Sequence, residues 1–253
     1  MHTKFVSRIV TATVPILMVF ALLLDATDQP KPVVLHVAIQ SGSLGAGTHP
    51  PKPEQNASDV VVWLKPLDPA VLTTVRSTPA GPRPEVIQKN KSFHPHLTVV
   101  HVGSVVDFPN RDPFFHNVFS LFDGKRFDLG LYEAGATNSV RFDHEGVSYL
   151  FCNIHPEMSA VVVAVDTPFY GVSDRAGNIA IPNVPVGKYE LHVWYERSVP
   201  ETLKDLTHTV RISVDARDLG GITVQENPSF TPVHKNKYGQ DYAPPPKQGY
   251  PQP

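Results

Sequence analysis

Short stretches rich in branched apolar residues alternate with polar turn segments along most of the chain. Stretches of this length and composition predict β-strands. We predict strands at 33–37 and 59–64, at 97–102, 105–108, 116–121, 138–142, 148–151 and 160–165, and at 179–181, 188–195, 207–214 and 221–224. The central block shows no apolar period of 3.6 residues over the length of a helix. The chain is therefore predicted to be all-β.

The predicted strands form three blocks, separated by loop-like segments at 40–58 and 66–84 that are rich in Gly, Ser and Pro. Short, regularly spaced strands in the central block, 86–165, predict a Greek-key β-sandwich or barrel. The third block, 166–226, is too short for a sandwich of its own. We expect the strands at 33–66 to complete it, which makes the central block an insertion. Residues 227–253 are polar and proline-rich, and they are predicted to form a disordered tail.

The amino terminus has the pattern of a secretory signal. Lys4 and Arg8 precede an uncharged apolar run at 9–24, which is slightly short for a membrane-spanning helix. We predict a signal peptide at 1–26, with an uncleaved signal anchor as the alternative. Either form predicts a periplasmic or otherwise extracytoplasmic protein, which would contact the membrane only through this segment if it is uncleaved.

Charge and cysteine content exclude several classes of function. Lys and Arg number 22 against 24 Asp and Glu, for a net charge of −2 without a basic stripe, so a nucleic-acid partner is not expected. Cys152 is the single cysteine. An intramolecular disulfide, a four-thiolate iron–sulfur cluster and a zinc ribbon are therefore excluded.

The cysteine lies among other metal-binding side chains. Cys152, His155 and Met158 fall on a predicted loop between two strands, and His116 begins a strand-like run upstream. Thiolate and thioether are soft ligands that suit copper(I), while imidazole serves both oxidation states of copper. Two alternatives remain open: these residues are core side chains joined by a turn, or Cys152 and His155 are a nucleophilic pair. A metal centre requires the His116 imidazole to lie within about 5 Å of the sulfur, given metal–ligand bonds near 2.0–2.3 Å.

The spacing Cys152-x-x-His155-Pro156-x-Met158 resembles the short ligand loop of the amicyanin- and plastocyanin-like cupredoxins, a family of blue-copper proteins. Segment 108–120 is similar to the part of those proteins that holds the first histidine. The resemblance implies a cupredoxin Greek-key sandwich with one type 1 copper. It makes His116, Cys152, His155 and Met158 the ligands, and it makes Asn117 the residue whose side chain ties the two ligand loops together.

A second resemblance concerns the flanking block. Segments 174–178 and 181–189 resemble the transthyretin-like β-sandwich of carboxypeptidase regulatory domains. The combination is similar to periplasmic proteins described as methylamine-utilisation-like. It implies that the second sandwich is a regulatory-like module.

Four protein ligands would leave no open position on the metal, so outer-sphere electron transfer is expected rather than catalysis. The expected partners are a redox donor and acceptor, such as a dehydrogenase, a cytochrome or an oxidase, with His155 as the route of the electron. Glu157 would add negative charge at that surface. Asp112 is expected to be a solvated surface group paired with a neighbouring arginine.

Two other functions are kept as alternatives. One is copper binding or delivery without redox cycling, in which His94 and His96 would form an accessory metal site. The other is an envelope module that binds protein or carbohydrate through Trp194 and Tyr195.

Overall fold

The computed structural model describes residues 31–41, 56–74, 82–121, 123–231 and 234–242. The predicted signal at 1–26, most of the loop at 40–58 and the last residues of the tail lie outside these ranges. Within them, no helix is long and apolar enough to cross a membrane.

The described residues are almost entirely β, which confirms the predicted fold class. In chain order the elements are β1 (Val33–Gln40), β2 (Val61–Pro66), α1 (Ala70–Thr74), β3 (Ile87–Lys89), β4 (Ser92–His94), β5 (Leu97–His101), β6 (Val105–Pro109), β7 (His116–Ser120), β8 (Phe127–Tyr132), β9 (Thr137–Arg141), β10 (Gly146–Phe151), β11 (Ser159–Val165), β12 (Tyr170–Val172), β13 (Asn178–Ile181), β14 (Gly187–Trp194), α2 (Pro200–Lys204), β15 (His208–Ile212) and β16 (Asp218–Gln225).

The flanking sandwich combines strands from both ends of the chain. One sheet has the order β13-β1-β16 and the other β12-β2-β14-β15. Strand β1 runs antiparallel to β13 and parallel to β16. Its alternate residues, Val33 to Ile39, are buried in the core between the sheets, as the period of a strand requires. The other strands of the described residues, β3 to β11, are therefore inserted between β2 and β12.

The inserted strands build the central sandwich. Its main sheet has the order β5-β11-β10-β7-β8, and the smaller β3-β4 and β6-β9 pairs complete it. Phe108, Val118, Phe142 and Leu150 are fully buried in its core. Cys152 and Met158 belong to the same core cluster, so the candidate ligand loop lies at the edge of this core.

Strand β11 lies between the two sandwiches, and each of its faces is buried against one of them. Ala160, Val162 and Ala164 face the central core, while Val161, Val163 and Val165 form a separate apolar cluster with Val61 of β2. A strand covered on both sides has a continuous apolar sequence rather than an alternating one. The run at 159–165 is such a sequence.

Polar contacts surround this apolar junction. The Lys65 ammonium lies 2.8 Å from the Glu145 carboxylate and 3.0 Å from the Asp166 carboxylate. The Tyr170 hydroxyl donates to the carbonyl of Val99 at 3.5 Å. The flanking sandwich thus contacts both the main sheet and a loop of the central one.

Several short elements differ from the predicted strands. Strands β3, β4, β8 and β12 and the two helices lie in segments that were not predicted to hold them. Only one residue in each of β3 and β4 is buried, so neither strand shows the alternation of apolar and polar residues that predicts a strand. Strand β8 contains Gly130 at a φ of +66°, which few other residues adopt, and Tyr132 is its one buried residue, so its apolar side chains do not follow a buried face.

The described part of the tail differs in one respect from the predicted disordered segment at 227–253. Residues 227–231 and 234–242 contain no helix or strand, as expected of their composition. Nevertheless, the ring of His234 stacks on Phe151 with centroids 3.9 Å apart. Packing against a distant strand is not visible in local composition.

His96 links the sandwiches through both of its ring nitrogens. Nε2 lies 2.6 Å from the Glu196 carboxylate of the flanking sandwich, and Nδ1 lies 3.2 Å from the carbonyl oxygen of Ser159. Both oxygens are acceptors, so both nitrogens can donate only in the imidazolium form. The hydrogen bond to Glu196 raises the pKa of His96 above its usual 6.5. The charged form is therefore the one that the fold favours.

Replacing His96 should remove a pH-dependent part of the stability. Because the folded pKa is raised, the wild-type contribution is fully present below pH 6.5 and is lost as pH rises through the folded pKa. The His96 side chain is 47% exposed, so solvent screening keeps the effect small. We expect the difference in unfolding free energy between wild type and His96→Gln to shrink with rising pH in denaturant titrations.

His208→Gln is the matched control, since His208 is exposed and its Nδ1 contacts the nearby carbonyl of Leu206 at 2.8 Å. An equal pH dependence of the difference in both variants would contradict the role of the His96–Glu196 pair.

Candidate metal centre

Three candidate ligands come from two neighbouring parts of the central sandwich. His116 is the first residue of β7, and Cys152 follows directly after β10, the strand paired with β7. His155 lies three residues further along the loop. The antiparallel pairing of Phe151 with Phe119 places the start of β7 beside the end of β10. Residues distant in sequence are thereby brought together.

The ligand atoms lie at the separations that a shared metal requires. Cys152 Sγ is 3.8 Å from His116 Nδ1 and 3.6 Å from His155 Nδ1, and all three atoms lie within 4.8 Å of one another. Two bonds of about 2.1 and 2.3 Å at about 120° would separate their donor atoms by about 3.8 Å. The donor set therefore fits a trigonal site. The distance of 3.8 Å between the Cys152 sulfur and His116 Nδ1 also lies within the limit of about 5 Å that a metal centre requires.

Met158 closes the loop that carries Cys152 and His155. Its side chain is fully buried in the same core cluster as Cys152. The Met158 N–H donates to the His155 carbonyl at 3.1 Å, and the Cys152 N–H donates to the Met158 carbonyl at 3.4 Å. The backbone thus folds back on itself and places the thioether residue next to the thiol residue in the core.

Asn117 ties the two ligand segments together. Its Oδ1 accepts from the Asn153 N–H at 3.3 Å. Its Nδ2 donates to Asp128 Oδ1 at 2.7 Å and to the Gly130 carbonyl at 2.9 Å, both on β8. Asn117 is 1% exposed, so these bonds are formed away from water. This is the position that the resemblance gave to the residue.

Asp112 is not the solvated surface group that was expected. It is 5% exposed, and its Oδ2 lies 2.7 Å from His116 Nε2. His116 presents Nδ1 to the cysteine, so Nε2–H donates to the carboxylate and fixes the orientation of the ring. Asp112 is thus a positioning residue that the local sequence did not reveal.

A tight hairpin explains the burial of Asp112. Its carboxylate accepts from the backbone N–H of Asn90 at 2.7 Å and from that of Lys91 at 2.9 Å. Both residues have positive φ, 54° and 52°, in the two-residue turn between β3 and β4. Burial opposes ionisation of Asp112, but the bonds from Lys91, His116 and Asn90 outweigh it and lower its pKa.

One aromatic side chain, Phe114, lies near both imidazoles. The Phe114 ring lies 5.2 Å from the His116 ring and 5.7 Å from that of His155, between ring centroids. His116 is fully buried, whereas His155 is partly exposed. His155 is therefore the candidate ligand that reaches the surface.

Burial shapes the protonation of the metal-free site. It raises the pKa of the Cys152 thiol, which is therefore protonated near neutral pH in the absence of a cation. Burial and the nearby His116 lower the pKa of His155, which favours the neutral imidazole. In the metal-free protein the Cys152 thiol and the His155 imidazole are therefore both favoured in their neutral forms.

Other candidate residues do not join this group. Among the described residues, His116, Cys152 and His155 form the one group of three or more His, Cys, Asp or Glu side chains close enough to hold an ion. His94 and His96, the possible accessory metal site, belong to no such group among these residues, and His96 is hydrogen-bonded to Glu196 and Ser159. Tyr195 is 6% exposed in the flanking core and Trp194 is partly buried against it, and both line an open cavity between the two sandwiches.

Similarity to known proteins is confined to structure. Neither a protein-family model nor a curated protein sequence matches the chain. A copper-containing nitrite reductase from Thermus scotoductus SA-01 aligns at 24% identity and a TM-score of 0.33, over 40% of this chain and 27% of its own. The alignment thus spans about a quarter of that enzyme.

Two smaller proteins align over most of their own length. A purple cupredoxin from Nitrosopumilus maritimus matches at 23% identity and a TM-score of 0.30, over 32% of this chain and 99% of its own. An amicyanin variant in the Cu(I) form matches at 21% identity and 0.31, over 32% of this chain and 80% of its own. These values describe partial likeness to cupredoxins.

Asp112→Asn should destabilise the metal-free protein. An amide has a single acceptor oxygen and no charge, so it cannot satisfy the three donors that face Asp112. We expect the unfolding free energy to fall by about 1.5–3 kcal/mol, the range for hydrogen bonds to a charged group. Denaturant titration of the metal-free protein measures it.

Asp143→Asn provides the control, because Asp143 pairs with Lys125 and His144 at the exposed surface. Its unfolding free energy should change little. Similar losses in both variants would show that Asp112 is not held as described.

Proposed function

We propose that this chain is an exported type 1 copper protein that carries single electrons between redox partners and is not itself an enzyme. The observation that carries the proposal is the convergence of Cys152 Sγ with His116 Nδ1 and His155 Nδ1. The buried Met158 on the same loop supports it, because a thiolate, two imidazoles and a thioether are the donor set of a blue-copper centre.

The residues around the donor set suit electron transfer better than catalysis. Bound copper would supply a one-electron couple between its Cu(I) and Cu(II) states. Cys152, His116 and Met158 are each fully buried, which excludes water from three sides of the site. Four protein donors would leave no position for a substrate or an activated water.

The surface at His155 supports docking of a redox protein. Phe115 is 56% exposed and Ile154 is 43% exposed, and both adjoin candidate ligands in the sequence. A partner resting on these apolar residues would bring its own redox centre towards the His155 ring. Glu157 and Lys91 bring charges of both signs near His155. A dehydrogenase, a cytochrome or an oxidase is the proposed class of donor or acceptor.

Export belongs to the proposal through the signal pattern at 1–26, which lies outside the described residues. Copper delivery without redox cycling has less support, because the Glu196 carboxylate is a partner that a metal at His96 Nε2 would have to displace. It is therefore kept as an outcome of the experiment.

Copper(II) added to the purified protein should produce one intense thiolate-to-copper absorption band in the visible range. Cys152→Ser should abolish the band, because the thiolate that donates the charge is removed. His144→Gln, at an exposed histidine, should leave the band unchanged. Copper analysis by mass should give one bound ion per chain in the wild type.

Voltammetry of the copper-loaded protein then separates electron transfer from delivery. A reversible one-electron wave supports the proposal. Tight copper binding without the band or the wave would favour delivery, and failure to bind copper would remove both functions.

A further inference from the structure

The carboxyl-terminal segment contacts the candidate ligand loop. The Tyr242 hydroxyl donates to the Cys152 carbonyl oxygen at 2.7 Å. The Lys237 N–H donates to Asn153 Oδ1 at 3.0 Å. These residues follow the last strand of the flanking sandwich, so the chain returns from that sandwich to the central one.

One peptide group is held at both of its polar ends. The Cys152 carbonyl and the Asn153 N–H belong to the same planar unit. Tyr242 binds the carbonyl, and Asn117 Oδ1 accepts from the N–H at 3.3 Å. Rotation of this peptide plane would break both bonds. The plane directly follows Cys152, so holding it restricts the backbone that carries the sulfur.

Hydrogen bonds around the loop form a closed ring. Lys237 Nζ lies 2.7 Å from Asp128 Oδ2, and Asp128 Oδ1 accepts from Asn117 Nδ2 at 2.7 Å. Asn117 accepts from Asn153, and Asn153 accepts from Lys237. The tail, the ligand loop and two strands of the central sheet are thus connected in one circuit.

Aromatic contacts support Tyr242. The His234 ring stacks on Phe151, the residue before Cys152, and meets the Tyr242 ring edge-on at 5.2 Å. The Tyr242 hydroxyl uses its one proton on the Cys152 carbonyl, so the contact with His234 Nδ1 at 3.2 Å requires that nitrogen to donate. Nδ1 also faces the carbonyl of Lys235 at 3.2 Å, which agrees with a protonated Nδ1.

The segment has its own folded turn. Asn236 Oδ1 accepts from the N–H of Tyr238 at 2.9 Å and from that of Gln240 at 3.0 Å. Gly239 has a φ of +76°, a conformation that suits glycine. The turn holds Lys237 and Tyr242 at a fixed separation, so both can contact the loop together.

We propose that residues 234–242 clamp the candidate ligand loop and that Tyr242 is a positioning residue for Cys152. The clamp holds the Cys152–Asn153 peptide, keeps the thiol covered in the metal-free protein, and fixes the sulfur relative to the two imidazoles. Its effect on a copper centre rests on the proposed function. Its effect on the thiol does not.

Tyr242→Phe tests the clamp, because it removes the hydroxyl and keeps the ring. In the metal-free full chain we expect modification of Cys152 by an aromatic disulfide reagent to become about three- to tenfold faster, as the loss of one hydrogen bond permits. Tyr238→Phe is the matched control, since Tyr238 lies in the same segment and is 71% exposed. A chain ending at residue 231 should show the larger increase.

Copper supplies a second measurement. In Tyr242→Phe loaded with copper(II), the energy of the thiolate-to-copper band and the reduction potential should both shift, and in Tyr238→Phe both should match the wild type. The unfolding free energy of each metal-free variant shows whether faster modification follows from global opening alone.

The outcomes distinguish the two proposals. Unchanged thiol reactivity in both Tyr242→Phe and the shortened chain overturns the clamp, as does an increase fully accounted for by global unfolding. A wild-type protein without the absorption band overturns the proposed function, while the thiol measurement still decides the clamp. Both sets of shifts together support both proposals.

Discussion

The hydrogen bond from the Asn153 N–H to the Asn117 side chain connects the two chain segments that carry the candidate ligands. His116 precedes Asn117 on β7, and Cys152 precedes Asn153 on the ligand loop. The buried amide therefore fixes the distance between an imidazole and a thiol that are far apart in sequence. Its two other bonds reach β8, so the connection is supported by the sheet rather than by the loop alone. Loss of such a buried bond leaves unsatisfied polar groups, which is more costly than the bond is worth by itself.

The sheet that supports this bond depends in turn on β11. One face of β11 covers the central core, where Cys152 and Met158 are buried, and the other face meets β2 of the flanking sandwich. Burial on both faces fixes the register of the strand, because a shift of one residue would exchange the two faces. The strand begins directly after Met158, so the flanking sandwich also fixes where the ligand loop ends. After it leaves the flanking sandwich, the chain contacts the beginning of the ligand loop through residues 234–242.

Much of the fold and part of the site could be predicted because their signals are local. The strands around 33–37, 160–165 and 188–195 have apolar patterns that match their burial. Cys152, His155 and Met158 are close in sequence, so a single loop indicates their chemistry. Asp112 lies beside Arg111 and looks like a surface carboxylate, but the β3-β4 hairpin that buries it lies about 20 residues upstream and was not predicted.

Long-range packing explains the other differences. The composition of the tail indicates a segment that cannot form a core of its own, and the described part forms no helix or strand. Tyr242 is nevertheless ordered against Cys152, 90 residues away, because the central sandwich supplies the surface and the acceptor. His94-Pro95-His96 is a possible metal motif by its sequence, and the structure adds a partner for His96 that lies 100 residues later, Glu196 of the flanking sandwich. In each case the deciding partner belongs to an element that folds elsewhere in the chain.

The polar groups around the candidate ligands share one property. Each binds the backbone or the far side of a ligand side chain, and it leaves the metal-donor atom of that ligand free. Asp112 binds His116 through Nε2, away from the sulfur, while Nδ1 faces Cys152. Asn117 and Tyr242 bind the backbone beside Cys152 rather than its thiol. A site held in this way keeps its donor separations without a metal, and it would keep them whichever oxidation state were bound. Little rearrangement between the two states is what rapid outer-sphere transfer requires, so the hydrogen bonds outside the donor set are as relevant to the proposed function as the donors themselves.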